Sequence, residues 1–443
     1  MKSAFVHYSS RLAFACLLFT SPAIVLAQTA DELPQPLTLE TALQYAGRED
    51  HYQVESSEQR LQQALAEASA ASSVNDVKVN LNGRLRKVGV SEVGDPDEDN
   101  DSLVSLFVRK PLYDFGKSAR RDDLALLNTE LRQLEKDYLI EQRELAITQK
   151  FFDVLNADNE FLRHNEDLAV GYIRFDRARE NMELGLSSNI EVLELQAAYE
   201  KIRQNRYQSE NMQRLTRVLL AEELGFPQSP PRELAVPELI ADRTLDDNVD
   251  LLVQQAFNYS LAMKIQAKKL QIARQQIELA DHTVGPRLDA ELEFSDYARD
   301  ASTRDDWRAT IYFDVPLYAG NTEKSALDVA RAQHQQALAE FQKYRSELRV
   351  EVLKLWQTIL QNRIRLEGEL VRQEYRDMYL DRSRAEYELE FKTDLGDAMV
   401  QYSESRRDAY QARFAIEMAW RKLEKLVGKE FLERMQTSGV SNG

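Results

Sequence analysis

The side chains able to do chemistry in this chain are few and scattered. Five histidines, His7, His51, His164, His282 and His334, stand far apart, and no two have the spacing with which a helix or turn holds a metal ion. The one cysteine, Cys16, lies in an apolar N-terminal stretch, and no glycine-rich phosphate loop occurs. His164 neighbours Glu166 and Asp167, but on so charged a stretch this reads as a solvated helix face. No catalytic residue, cofactor or metal is therefore expected, and the chain is not read as an enzyme. What its residues can do lies in patterning: strands with one apolar and one charged face, and helices with a long apolar seam.

The strand pattern occurs twice. Val77, Val79, Leu81 and Leu85 alternate with Lys78, Asn80, Asn82, Arg84 and Arg86, and Leu288, Ala290, Leu292 and Phe294 alternate with Asp289, Glu291, Glu293 and Ser295. Each run is followed by an acidic loop, Ser91 to Ser102 or Ala298 to Asp306, and by a second alternating run. Those runs, Val104-Leu106-Val108 and Trp307-Ala309-Ile311-Phe313-Val315, reach Lys110-Pro111-Leu112-Tyr113 and Val315-Pro316-Leu317-Tyr318. Period two with one apolar face describes a half-buried strand, and about 9–11 residues is what a tilted strand needs to cross a bilayer. Four strands close no barrel. A sheet edge cannot face lipid, because its unpaired N–H and C=O groups cost several kcal/mol each, so several copies must pool strands. An ordinary sheet with one wet face has the same alternation.

Targeting favours the membrane. Lys2 and Arg11 precede an apolar stretch from Leu12 to Leu26 that closes on Val25-Leu26-Ala27, an export signal cleaved after Ala27. No later stretch reaches the roughly 18 apolar residues of a spanning helix, so any membrane passage uses strands. Residues 13–15 before Cys16 lack the leucine of a lipoprotein cleavage box, so no lipid anchor is expected. The signal holds two basic and no acidic residues, so the net charge of −17 becomes −17 − 2 = −19 after cleavage, which argues against nucleic acid as a partner.

Elsewhere the sequence is helical and polar, with mean hydropathy −0.51. No proline interrupts Lys117 to Glu183, where Leu124, Leu127, Leu131, Leu134, Tyr138, Leu145, Phe152, Leu155 and Leu162 recur in threes and fours, a heptad seam with polar Glu141, Thr148 and Asn159 in its gaps. Its counterpart from about Thr322 to Leu389 runs through Leu327, Ala330, Ala337, Phe341, Tyr344 and Leu348, then shifts phase at Val352, Leu355 and Ile359. Helices of roughly 67 residues would span about 100 Å. Shorter helices are expected over 39–73, 189–225, 249–282 and 394–427, each pair stacking end to end against a long one. The expected organisation is a signal over 1–27, a first repeat over 28–226 with its hairpin at 77–113, and a Pro230-Pro231 connector over 227–247. A second repeat over 248–429 follows, with its hairpin at 287–318, and then a tail over 430–443.

Leu37-Thr-Leu-Glu-Thr-Ala-Leu43, Pro111-Leu-Tyr-Asp-Phe-Gly-Lys117, Pro316-Leu-Tyr-Ala-Gly-Asn321 and Gly185-Leu-Ser-Ser-Asn-Ile-Glu-Val192 follow one another in an order and duplication that resemble the TolC family of outer-membrane efflux and secretion channels. The resemblance spans roughly 390 residues and rests on the set of motifs, since none is specific alone. It implies a mainly α fold with a small β part: a long coiled-coil α-helical barrel plus four transmembrane β-strands per chain, three chains closing a 12-stranded barrel as a homotrimer. It further implies a periplasmic adaptor (membrane fusion protein), an inner-membrane ABC or proton-driven transporter that supplies the energy, and small toxic compounds or type I secreted polypeptides as cargo. Pro111, Gly116, Pro316 and Gly320 are then structural strand-to-helix junctions, the prolines ending strands and the glycines taking backbone angles other residues avoid.

Gly185, Leu186 and Ser187 match the family's adaptor-docking turn, and Phe391, Lys392 and Thr393 form the second tip, which departs from the pattern because Glu390 stands where Gly185 does. Acidic residues that narrow the family's tunnel match Gly396 and Met399 here, with Asp394 and Asp397 two places earlier. Those two carboxylates are candidates for a pore constriction, or else for helix capping. The competing reading is a soluble periplasmic coiled-coil scaffold whose hairpins never touch lipid.

Overall fold

The computed structural model describes residues 33–89, 100–238, 243, 248–298, 304–389 and 395–439; the expected signal, parts of both acidic loops and residues 390–394 of the second tip lie outside the described residues. Helix α1, Leu39–Gln44, starts in a capping box: Thr38 Oγ1 accepts from the Thr41 N–H, and the Thr38 N–H donates to Thr41 Oγ1 at 3.2 Å. A turn through Gly47 separates it from α2, Tyr52–Ser72. Strands β1, Lys78–Arg84, and β2, Leu103–Tyr113, lead into α3, Lys117–Glu183, and α4, Asn189–Leu224. The second half repeats the order with α5, Val249–Tyr259, α6, Leu261–Ala280, β3, Arg287–Tyr297, β4, Trp307–Asp314, α7, Thr322–Glu388, and α8, Leu395–Val427.

Two stretches read as single helices are each two. Between α1 and α2 the chain turns so that His51 can cap α2, its Nδ1 accepting the Gln53 N–H, while Ser260 takes ψ 126° between α5 and α6 at a position 1% exposed. The residues expected as a tail begin as helix α9, Lys429–Gly439, which buries Leu432 in the same cluster as Trp420.

α3 and α7 each have 67 residues, so each is about 100 Å long. α2 lies on the upper part of α3, where Lys136 Nζ meets Glu58 at 2.6 Å, and α4 lies on its lower part, where Gln213 Nε2 donates to Asp158 at 2.8 Å. α6 and α8 both pack between α3 and α7. The order across the layer is therefore α2 with α4, α3, α6 with α8, and α7, each short pair standing in for one long helix. The main apolar core sits midway along, where Val352, Leu355, Ile359, Trp420 and Leu423 pack with Leu252, and Phe151, Ile147 and Leu220 pack with Leu39. Phe152 stacks on Phe414 at 4.6 Å between centroids and joins the halves.

The expected seam of α3 holds down to Leu155 and then fails: Leu162 is 57% exposed, while Ile147, Phe151 and Val154, outside the series, are buried. An α-helix drifts about 20° per heptad from a strict seven-residue repeat, so a seam extrapolated over that distance rotates off the contact face.

All four strands form one antiparallel sheet in the order β1-β2-β3-β4, so the hairpins of the two halves pair through β2 and β3. β1 and β4 are its open edges.

Candidate functional site

Register fixes what each face of the sheet presents. Leu81 pairs with Leu106, Leu106 with Phe294, and Phe294 with Trp307; Val108 pairs with Leu292 and Leu292 with Ala309. Because partners across a ladder point the same way, these residues share one apolar face. That face is open: Leu81, Ile311 and Phe313 are each about two-thirds exposed, at 71%, 69% and 65%.

The polar residues occupy the other face. Ser105 Oγ and Ser295 Oγ are 2.7 Å apart and buried, Arg109 Nε donates to the buried Glu291 at 2.7 Å, and Tyr312 Oη donates to the same carboxylate at 3.2 Å. A water-soluble sheet buries its apolar face and wets its polar one. This sheet leaves its apolar face open and buries the polar Ser105, Ser295 and Glu291 of β2 and β3, and its exposed apolar area calls for a non-aqueous neighbour. Trp307 and Tyr113 near strand ends are exposed rather than packed in a core. At the outer end, the buried Asp101 carboxylate meets both Arg86 and Arg304 and so ties the two loops together.

At the lower end of the sheet the four junction residues behave differently. Pro111 does not end β2: it pairs with Asp289, the register shifts between Pro111 and Tyr113, and the strand ends at Tyr113. Such an irregularity accommodates a residue without an N–H. β4 stops at Asp314, two residues before Pro316. Gly116 has φ +88° and precedes α3, where Asp114 accepts the Ser118 N–H at 2.7 Å, and Gly320 has φ +65° before α7. Pro316 and Gly320 sit in an exposed segment whose Leu317 and Tyr318 are almost fully open.

The far ends of the helices form the tips. Gly185 turns at φ +74°, its N–H donating to the Met182 carbonyl at 3.0 Å while the Leu186 N–H reaches Asn181 O at 2.8 Å, which closes the end of α3. Ser187 follows in the turn, and Ser188 caps α4 by accepting the Glu191 N–H at 3.2 Å. Leu184, Leu186 and Ile190 stand more than 70% exposed there. Phe391, Lys392, Thr393 and Asp394 lie outside the described residues. Asp397, in the first turn of α8, forms an ion pair with Arg174 of α3, so its carboxylate is directed at a neighbouring helix. Gly396 lies so close to Val170 that an added Cβ would come within 2.8 Å of that side chain.

Two polar groups that the sequence did not single out organise the helix stack. Arg143 of α3, 2% exposed, donates from Nε to Ala46 O at 2.8 Å and from Nη2 to Glu223 O at 2.9 Å, and its Nη1 lies 2.6 Å from His51 Nδ1. It thereby joins the start of α2, the end of α4 and the middle of α3. Burial, and then the Arg143 charge, hold the His51 imidazole below its usual pKa. Lower down, Glu160 accepts from Arg163 and from Arg407 of α8, both at 2.9 Å. Burial alone would raise its pKa, but the two guanidinium groups outweigh it and lower it to about 2. His164, expected on a solvated face, is 9% exposed beside Glu160, because α4 and α8 cover this part of α3. A charged sequence stretch here marks an interhelical ion network rather than a wet surface.

Residues 252–429 match the family described as outer membrane efflux protein. The outer membrane protein TolC of Vibrio cholerae serotype O1 is 27% identical over 206 residues, 44% of this chain and 46% of that protein. Protein CyaE of Bordetella pertussis is 25% identical over 270 residues, 58% of this chain and 54% of that protein, so the chain spans about half the length of these curated relatives. Among solved structures, the outer membrane protein VceC of Vibrio cholerae aligns with TM-score 0.68 at 16% identity over 88% of this chain and 96% of that one. The fold is that of an outer-membrane channel protein.

Proposed function

We propose that this chain, a relative of the TolC-family outer-membrane efflux proteins, is the passive exit duct of a tripartite export system, spanning from the outer membrane into the periplasm. The inverted sheet carries the reading. Its apolar face suits lipid, its polar face suits an aqueous lumen, and its open edges β1 and β4 must be closed by further strands before either face can sit in a bilayer. Barrels of this kind have an even number of strands from about eight upward, and three chains of four strands make twelve, the homotrimer of the related channels.

The helical layer supports the same closure. Among the described residues α4 packs mainly on α3, and α7 on α5, α6 and α8, yet these two helices expose Tyr207, Met212, Ile364, Val371 and Met378. Packing α7 of one copy on the α2 and α4 side of the next continues the layer into a ring and covers these side chains. The tip at Gly185-Leu186-Ser187 then points away from the membrane, where a periplasmic adaptor docks and passes cargo from an inner-membrane ABC or proton-driven transporter; Phe391, Lys392 and Thr393, outside the described residues, are assigned to the same docking surface by the family resemblance alone. The exposed leucines of the first tip supply the apolar contact. No helix among the described residues is long and apolar enough to cross a membrane.

The test is purification from outer membranes, followed by gel migration with and without heating and by conductance in planar bilayers. The duct reading expects a detergent-dependent oligomer, heat-labile on the gel, that passes ions. A mature chain that is freely soluble and monomeric, and electrically silent in bilayers, refutes it in favour of the periplasmic scaffold. Co-purification with an adaptor and either a peptide-exporting ATPase or a proton-driven pump identifies the cargo class.

A further inference from the structure

The charges on the polar face of the sheet are unevenly compensated. On β3 and β4, every carboxylate of that face lies within 4.0 Å of an arginine: Glu291 with Arg109, Glu293 with Arg308 at 4.0 Å, and Asp289 and Asp314 with Arg287 at 3.3 and 3.4 Å. On β1, register places Lys78 beside Arg109, Asn80 beside Phe107, Asn82 beside Ser105 and Arg84 beside Leu103, all on the same face. None of these four β1 side chains has a hydrogen-bond or ion-pair partner among the described residues, and all are exposed. They alternate along an extended strand, so donors recur about every 7 Å over about 20 Å. The strand carries no acid.

We propose that β1 forms an anion-handling track on the lumenal wall, where Lys78, Asn80, Asn82 and Arg84 offer free N–H donors to carboxylate- or phosphate-bearing solutes passing the barrel. The inference rests on the duct reading, which makes the polar face the lumen. Two features of the sheet place the track on this strand. The carboxylates of β3 each have an arginine nearer than β1, which lies two strands away, so they do not neutralise it. β1 is also an edge strand. In a ring of copies its new neighbour is β4, which runs antiparallel to it. Within the sheet the polar face of β4 carries Arg308 on the row of Asn80, through Phe107 and Glu293, and that guanidinium already faces Glu293 and Asp305. A passing anion meets two cations and two amides whose donors are still unsatisfied, and each exchange is between exposed groups and therefore fast.

The experiment is block of potassium chloride current by citrate, using the mature full-length protein in planar bilayers at low ionic strength, where exposed charges are least screened. The wild type is expected to show concentration-dependent block. The double variant K78Q/R84Q is expected to need on the order of fivefold more citrate, the size of effect two exposed ion pairs produce, and K78R/R84K is expected to retain wild-type block. Lys110→Gln, which alters the opposite face beside Ala290, is expected to leave the block unchanged. Equal citrate block in wild type and K78Q/R84Q, with both oligomers conducting, overturns the track and leaves the duct intact. A wild type that passes no current removes the duct, and the track with it.

Discussion

Replacing Arg143 by leucine gives the sharpest test of how the helix stack is held. In the second half, Leu348 occupies the position corresponding to Arg143, 205 residues on, as Thr322 corresponds to Lys117, and it is 3% exposed in an apolar cluster. The leucine therefore fits the backbone. The first half, however, is built around the guanidinium: the Ala46 and Glu223 carbonyls accept from it at 2.8 and 2.9 Å, and the His51 ring lies against it. Arg143→Leu strands two carbonyls that no other group reaches and leaves the His51 cap unsupported. Each hydrogen bond to a charged group contributes about 1.5–3 kcal/mol, and an orphaned buried acceptor costs about 1–3 kcal/mol, so a loss of about 3–4 kcal/mol is expected after partial relaxation. At about 1.4 kcal/mol per decade, local opening of the α1–α2 turn rises by two orders of magnitude or more. Hydrogen exchange of peptides covering Leu39 to Gln53 reads it directly, with peptides of β1 and β2 as internal controls. Exchange in that turn within threefold of wild type refutes the reasoning, since the buried guanidinium would then contribute little beyond its volume.

Acid should weaken the same molecule at a second place. The Glu160 carboxyl is lowered to about 2, so its contribution is complete above about pH 4.5 and is lost as pH falls towards 2. The shift discounted for its part-exposed position amounts to about 1–2 kcal/mol, and Glu160→Gln should flatten acid unfolding monitored by helical circular dichroism in that window. His51 has a lowered pKa from burial and from Arg143, so its contribution is complete above about pH 6.5 and declines below it; the protection factor of the α1–α2 turn, exchange being divided by its intrinsic rate at each pH, should fall from pH 7 to pH 5 in wild type and not in His51→Asn. At the first tip, Leu186→Asp should abolish adaptor co-purification while leaving conductance unchanged, because the side chain is 74% exposed and contributes nothing to the helix core. Asp397→Asn breaks the pair with Arg174; unchanged block by divalent cations removes Asp397 from the constriction and leaves it as a tie between α8 and α3.

The sequence exposed the periodic parts of the fold and hid the parts set by contacts between distant segments. α3 follows the proline-free run from Lys117 to Glu183, and the strands follow the alternation around Leu81, Leu106, Leu292 and Ile311, because burial on one face leaves its period in the sequence. The breaks at Gly47 and Ser260 were not legible, since the helical pattern continues across them and only packing on α3 and α7 forces the turn. Nor was Arg143: an arginine in a charged helix looks solvent-facing until α1, α2 and α4 are placed around it. The pairing of β2 with β3, on which the shared apolar face depends, joins residues 175 to 194 positions apart.

Polarity along the helices carries one more step of argument. Midway along α3, contacts are made by Ile147, Phe151, Phe152 and Val154, all at or below 1% exposure, whereas from Asp158 downward smaller buried side chains such as Ala178, Val192 and Ala398 are joined by polar contacts, Asp158 to Arg217, Glu160 to Arg407, Glu166 to Ser403 and Arg174 to Asp397. Apolar packing is non-directional but intolerant of gaps, and separating it exposes area at about 25 cal/mol per Å². Part-exposed ion pairs contribute roughly 0–1 kcal/mol each, because water replaces each partner when they part. The middle of the layer, where Phe152 stacks on Phe414, is therefore the costliest part to separate, and the ion-paired stretch from Asp158 to the tip at Gly185 costs less per contact. On the proposed duct reading a change of aperture falls in that stretch.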